Sequence, residues 1–322
     1  MRSQAAEADE APVRRAALEP REQFARVNGI ELCYEDVGDA DGQPMLLVMG
    51  LGTQLIHWNP AFVNALVDRG FRVIRYDNRD AGHSSKVDHP PPGRVAMMFG
   101  LPRGRAYHLD DMADDAAGLI RALGVESAHV FGVSMGGMIA QVAAYRRPER
   151  VRSLAMMMSG SGKRVASLPR LRALGTLLAR PARSRDAFVE RTLKTFEIIG
   201  SPAHPMDAER EAEFRRTLEL TWDRDHSSAG VARQLHAITS SGDRTKLLRG
   251  VKAPTLVIHG DRDPLVRPTA GRALARAIPG ARFRLVPGMG HDMPPALFED
   301  FADAIAENAA RDRARRATAE VA

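Results

Sequence analysis

The sequence predicts an α/β fold: a mostly parallel central sheet with helices on both faces and an inserted helical segment. Three observations carry this. Short apolar runs alternate with helical patterns from residue 45 onward, as strands joined by helical crossovers do. Several runs are apolar almost without interruption, as strands buried on both faces are. The alternation stops between Gly162 and Thr245, where the pattern is helical throughout, and resumes at Thr255.

In chain order, strands are expected at Ile30–Tyr34, Met45–Met49, Arg72–Tyr76, Ala128–Val133, Ser153–Met158, Thr255–His259 and Arg282–Val286. Helices fall between them, at about Trp58–Arg69, Asp110–Leu123, Met135–Tyr145, Ala270–Ala277 and Ala296–Asn308. Leu168, Leu171, Leu174 and Leu178 recur at three- and four-residue spacing inside the insertion, which puts them on one helix face. This gives a single core from residues 23–162 and 245–309, with a helical cap from 163–244 folded over the carboxyl edge of the sheet. Residues 1–22 and 310–322 are expected to be flexible tails.

The 322 residues are 44% hydrophobic and 27% charged, enough apolar surface for one large core and incompatible with disorder in its bulk. The only cysteine, Cys33, lies in a strand-like run, which excludes an internal disulfide framework and a cysteine-based metal site. The net charge is +6, yet only five of the 46 basic residues are lysine. The surplus is local, with nine basic residues from Lys163 to Lys194 facing only Asp186 and Glu190. That pattern reads as a solvated basic face, and no nucleic-acid partner is expected. The first 23 residues lack the apolar core of a signal peptide, and no run reaches the roughly 18 apolar residues a membrane span needs. A cytoplasmic protein without stable membrane association is expected. No Gly-x-x-x-x-Gly-Lys loop, His-Glu-x-x-His or paired His/Cys cluster occurs, so no cofactor and no metal are expected.

The chemistry concentrates at strand ends. Gly132-Val133-Ser134-Met135-Gly136-Gly137 closes one expected strand and opens a helix. Such a turn lifts a serine hydroxyl above the sheet, and glycines two before and two after let neighbouring backbone pass close. The following helix N-terminus favours developing negative charge. Acid and base candidates come later, in the order serine, acid, histidine. Gly260-Asp261-Arg262-Asp263 follows one strand, and Pro287-Gly288-Met289-Gly290-His291 follows the last. The loop after Ser153–Met158 reads Ser-Gly-Ser-Gly and offers no carboxylate. His129 and His259 sit within or at the end of strands and read as satisfied core residues, whereas His291 lies in a loop past the last strand. An oxyanion hole needs two backbone N–H groups. Met135 supplies one as the residue after the nucleophile, and Leu51, in Met49-Gly50-Leu51-Gly52-Thr53, is placed as the second.

These segments, together with Arg75-Tyr76-Asp77-Asn78-Arg79-Asp80-Ala81-Gly82-His83-Ser84 and Leu109-Asp110-Asp111-Met112, resemble the cap-bearing, serine-nucleophile α/β-hydrolases over roughly Phe24–Asn308. Within that superfamily they resemble the aclacinomycin methylesterase group. The resemblance implies an α/β-hydrolase fold and carboxylic ester hydrolysis. It also favours Asp263 over Asp261 as the acid, because the family's acid follows Gly-x-x, and Asp261 is left as a turn cap. Two positions depart from the wider superfamily: Met49 stands where most members have histidine, and Asp80 where many have glycine. The elbow also resembles that of oxoadipate enol-lactonases. Ser134 excludes the epoxide hydrolases and haloalkane dehalogenases of the superfamily, which use aspartate there.

The expected function is therefore hydrolysis of small to medium apolar esters through an acyl-enzyme. Ser134 is the nucleophile, His291 the base, Asp263 the orienting acid, and Leu51 and Met135 the oxyanion donors. Met49, Met97, Met98, Met158 and Met293 fall at expected strand ends or loops and are expected to line an adaptable apolar pocket. The expected partner is a small-molecule ester. The alternatives are lactone opening, carbon–carbon bond hydrolysis or perhydrolysis on the same residues, and a low-turnover ligand sensor. Because every candidate catalytic residue lies outside 163–244, the cap is expected to govern selectivity before chemistry.

Overall fold

The computed structural model describes residues 21–163, 169–177 and 180–321, without the side chains of residues 94, 98, 177 and 316–321. Eight strands form one sheet: β1 (Gln23–Val27), β2 (Ile30–Val37), β3 (Gln43–Val48), β4 (Phe71–Tyr76), β5 (Ala128–Val133), β6 (Val151–Met157), β7 (Thr255–Gly260) and β8 (Arg282–Val286). Their spatial order is β1-β2-β4-β3-β5-β6-β7-β8. The β1–β2 and β2–β4 pairs are antiparallel and all others parallel. Every residue of β5 and β7 is buried, which explains their unbroken apolar character.

Helices α1 (Pro60–Val67), α2 (Arg94–Phe99), α3 (Leu109–Ala122) and α4 (Met135–Arg146) precede the insertion. Within it lie α5 (Leu171–Leu177), α6 (Arg185–Ile199), α7 (Ala208–Arg224) and α8 (Ser228–Ser240). After it come α9 (Thr245–Leu248), α10 (Pro268–Ala277) and α11 (Phe298–Val321). Alternate side chains of each strand point to opposite faces, so two cores form. Leu46, Val48, Val130 and Val257 pack under α3, α4 and α10, while Met45, Leu47, Phe131 and Ile258 pack against Phe62 of α1 and Phe301 of α11. Phe301 is fully buried, worth about 1.5–3 kcal/mol in transfer free energy. Among the described residues no helix is long and apolar enough to cross a membrane.

A tail is expected from residue 310. Helix α11 runs on to Val321, and Asp312 is wholly buried, with Arg315 at 3.0 Å and Arg152 at 3.7 Å. Ion pairs thus anchor this stretch at Asp312. At the other end, residues 1–20 lie outside the described residues, but Glu22, expected in a tail, pairs with His83 at 2.8 Å and with Arg224. In the insertion, Leu168 and Leu178 lie outside the described residues; Leu171 is exposed and Leu174 about a third exposed, so these two do not form a buried stripe.

Candidate active site

Ser134 lies between β5 and α4 with φ 53° and ψ −116°, a left-handed conformation costly for any residue but glycine. Neighbours hold it there. Its amide donates to the Met157 carbonyl at 3.0 Å, and the Ser159 hydroxyl donates to its carbonyl at 2.8 Å. The flanking glycines are required by backbone contact. A Cβ at Gly132 would meet the Gly136 carbonyl oxygen, and one at Gly136 would meet the Val48 carbonyl oxygen.

The structure brings Ser134, His291 and Asp263 together from three strand ends. His291 Nε2 is 3.1 Å from Ser134 Oγ, and His291 Nδ1 is 2.7 Å from Asp263 Oδ2. Asp263 is buried, and its Oδ1 accepts the Leu265 and Val266 amides at 2.8 and 2.9 Å. Burial alone would raise its pKa, but the charge of His291 and hydrogen bonds from His259 and His291 hold the carboxyl well below the usual carboxylate range. The carboxylate therefore stays ionised beside the His291 ring. Asp261 does something else: a third exposed, it accepts the Gly288 amide at 2.7 Å.

Leu51 lies in the turn after β3, beside the serine. A Cβ at Gly50 would be 3.5 Å from Ser134 Cβ. Thr53 Oγ1 donates to the Gly50 carbonyl at 3.0 Å, and Asn78 Nδ2 donates to the Met49 carbonyl at 3.0 Å. Met135 opens α4, where the first-turn amides have no intrahelical acceptor.

Among the described side chains, the methionines expected to line the pocket fall in two places. Met49 and Met158 are 6% and 4% exposed, packed with Phe131 and Val133, and Met293 packs on the same cluster. Met97 sits on α2, its carbonyl accepting from Thr239 Oγ1 at 2.8 Å. The Met98 side chain lies outside the described residues.

Sequence reasoning missed two neighbours of the site. His259, read as core, places Nε2 3.4 Å from Asp263 Oδ2 and 2.7 Å from the Val266 carbonyl. Its position four residues before Asp263 was the available signal. Ser159, in the Ser-Gly-Ser-Gly loop that offers no carboxylate, instead braces the elbow. Among the described residues one metal-capable trio also emerges, Glu22, Cys33 and His83, with ligand atoms within 4.8 Å of one another. The Arg224 guanidinium already pairs with Glu22, and burial pushes the Cys33 thiol up to about 12, so the donor set is poorly suited to a cation.

A mostly parallel sheet in this order, with a serine elbow after β5 and the acid and histidine loops after β7 and β8, defines an α/β hydrolase. The chain belongs to that family, and the alpha/beta hydrolase fold matches residues 43–294. It is 32% identical over 279 residues to the rhodomycin D methylesterase of Streptomyces peucetius, covering 79% of this chain and 86% of that protein. It is 27% identical to a human serine hydrolase, covering 80% and 76% of the two chains. Among solved structures, the enol-lactonase of Burkholderia xenovorans superposes with a TM-score of 0.66 at 27% identity, covering 91% of this chain and all of that one.

Proposed function

We propose that the protein is a serine esterase that cleaves small to medium apolar carboxylic esters through an acyl-enzyme. The observation that carries this is the unbroken relay Ser134–His291–Asp263, with contacts of 3.1 and 2.7 Å. The likeness to a methylesterase over most of the chain supports an ester as substrate.

Ser134 Oγ attacks the ester carbonyl as His291 Nε2 takes its proton. Asp263 Oδ2, accepting from Nδ1, fixes the tautomer and stabilises the imidazolium. The Leu51 and Met135 amides hold the oxyanion, each donor worth on the order of 10²–10³ in turnover. The tetrahedral intermediate collapses, and His291 returns the proton to the leaving alcohol. Water, activated by the same imidazole, then attacks the acyl-Ser134 ester, releasing the acid and restoring the serine. Nothing in this sequence calls on a cofactor or metal. Met49, Met158 and Met293, soft and adaptable, belong to the proposal as the apolar wall on the α1–α11 side, with Met97 joining from α2.

The likeness to an enol-lactonase favours one second reading, lactone opening, since a lactone is an internal ester attacked in the same way. A rate panel of methyl and p-nitrophenyl esters of rising acyl length beside enol-lactones tests both. Faster turnover of open-chain esters supports the esterase reading. A lactone preference moves the second reading to first place, and inertness toward both, with Ser134 unreactive to a fluorophosphonate, sinks the proposal.

A further inference from the structure

The insertion leaves the core at Ser161 and returns at Arg244, whose amide donates to the Ser161 carbonyl at 2.8 Å. Between these stems it grips both loops that flank Ser134. The loop after β8 has no regular structure at His291. Its backbone is instead tied to the C-terminal end of α6. The His291 amide donates to the Ile199 carbonyl at 2.6 Å, the Gly290 amide donates to Ser201 Oγ at 2.9 Å, and the Ala203 amide donates to the Gly288 carbonyl at 3.2 Å. The approach is backbone to backbone, since a Cβ at Gly290 would meet the Gly200 carbonyl oxygen.

The loop after β3 is gripped from α7 and α8. Gln234 is fully buried. Its Oε1 accepts the Gly52 amide at 2.8 Å, and its Nε2 donates to the Arg79 carbonyl at 2.8 Å. Gln54 Nε2 donates to the Thr221 and Asp225 carbonyls at 2.9 and 3.1 Å, and its Oε1 accepts from Arg224 Nε at 2.9 Å. Gly52 is the neighbour of Leu51, so a shift of one moves the other.

We propose that the insertion is a positioning element for the reaction rather than a selectivity lid alone, with Ser201 setting the His291 loop and Gln234 setting the Leu51 loop. This rests on the serine esterase reading above. It reverses the expectation that residues 163–244 matter to selectivity before chemistry. Neither side chain touches the reacting atoms. Each fixes a backbone segment whose displacement by about 1 Å is enough to cost 10²-fold in rate.

The test compares Ser201→Ala, Ser201→Thr, Gln234→Met and Gln234→Glu with the wild type. The readouts are kcat and KM on a p-nitrophenyl ester, affinity for an alkylboronic acid that mimics the tetrahedral intermediate, and thermal unfolding. Ser201→Ala and Gln234→Met should lower kcat by roughly 10- to 100-fold with KM little changed. Boronate affinity should fall in parallel. Ser201→Thr, which keeps the acceptor facing Gly290, and Gln234→Glu in its neutral acid form, which keeps the acceptor facing Gly52 and a donor for the Arg79 carbonyl, should recover much of the loss. Folded Ser201→Ala protein with wild-type kcat and boronate affinity overturns the proposal, as does failure of Ser201→Thr to recover activity. If Gln234→Met does not fold, Gln234→Glu decides that half across a pH series, and a folded Glu variant that at no pH keeps more turnover than Ser134→Ala refutes it. Activity surviving in Ser134→Ala would bring down the esterase reading itself, an outcome distinct from unaffected Ser201 and Gln234 variants.

Discussion

Asp263→Asn separates geometry from charge at the proposed triad. Asparagine can keep its oxygen toward the Leu265 and Val266 amides, which Asp263 Oδ1 accepts at 2.8 and 2.9 Å. Its amide nitrogen then falls where Oδ2 now lies, 2.7 Å from His291 Nδ1. Two donors facing each other force the imidazole proton onto Nε2, toward Ser134, and the serine loses its base. The expected loss is on the order of 10⁴ in kcat, or about 5.5 kcal/mol of transition-state stabilisation. KM should stay nearly constant, because nothing that meets the ground-state substrate is removed. Stability carries a second signature. The folded pKa of Asp263 is depressed, so its contribution is present above the unfolded carboxylate value, about 3.9, and fades as pH falls through the folded value. The stability gap between wild type and variant should therefore be widest near neutrality and close in acid. Initial rates on p-nitrophenyl butyrate, with circular dichroism as the folding control, measure both. A folded variant with more than about 1% of wild-type kcat, a hundred times the expected residue, would refute the assignment.

Asp261→Asn retains an acceptor for Gly288 on a partly exposed side chain, so its rate should stay within a few-fold of wild type in the same assay. Ser134→Ala should be inactive with an unchanged melting temperature. Ser134→Gly, also inactive, should melt higher, because φ 53° costs about 1–3 kcal/mol that glycine avoids. Gly136→Ala drives a methyl into the Val48 carbonyl and should cost about 3 kcal/mol or more, read as lost soluble yield or a lowered denaturation midpoint. Arg224→Ala strips the guanidinium 2.5 Å from Asp77 Oδ2 and should cost about 3–5 kcal/mol at neutral pH. Burial pushes Asp77 up to about 6, against the Leu55 and His83 amides. A folded pKa raised above the unfolded one means stability is gained by protonation, so the variant should recover stability as pH falls from 7 toward 5. A flat melting temperature over that range contradicts the account.

The alternation of strand and helix was legible because the central strands are buried on both faces, and that leaves a local mark. The proposed catalytic residues were legible for a related reason: each sits at a strand end, where a short motif can be recognised beside an apolar run. Strand β1, Gln-Phe-Ala-Arg-Val, buries only Val27 fully. An edge strand of that kind has too little pattern to be seen. The far half of α11 left no local mark, since the ion pair that Asp312 makes there is with Arg152, a partner far away in sequence. Ser201 and Gln234 belong to no motif, and their meaning is set only by which loop amide the fold delivers to them. The grip of the insertion on the core is tertiary and left no periodic trace.

The hydrogen bond between Arg244 and Ser161 makes the insertion a closed loop: the chain departs and returns at a single point. Closing a loop costs entropy that grows only with the logarithm of its length, about 0.6 kcal/mol per doubling. The β6–β7 pairing that follows is thus nearly indifferent to how much chain hangs between the stems. Lengthening or exchanging the insertion is cheap for the sheet, whereas losing the few atoms that reach Gly52, Gly290 and His291 is not. A graft from a relative would be accepted or refused at those contacts, long before the size of the transplanted piece became a burden on folding.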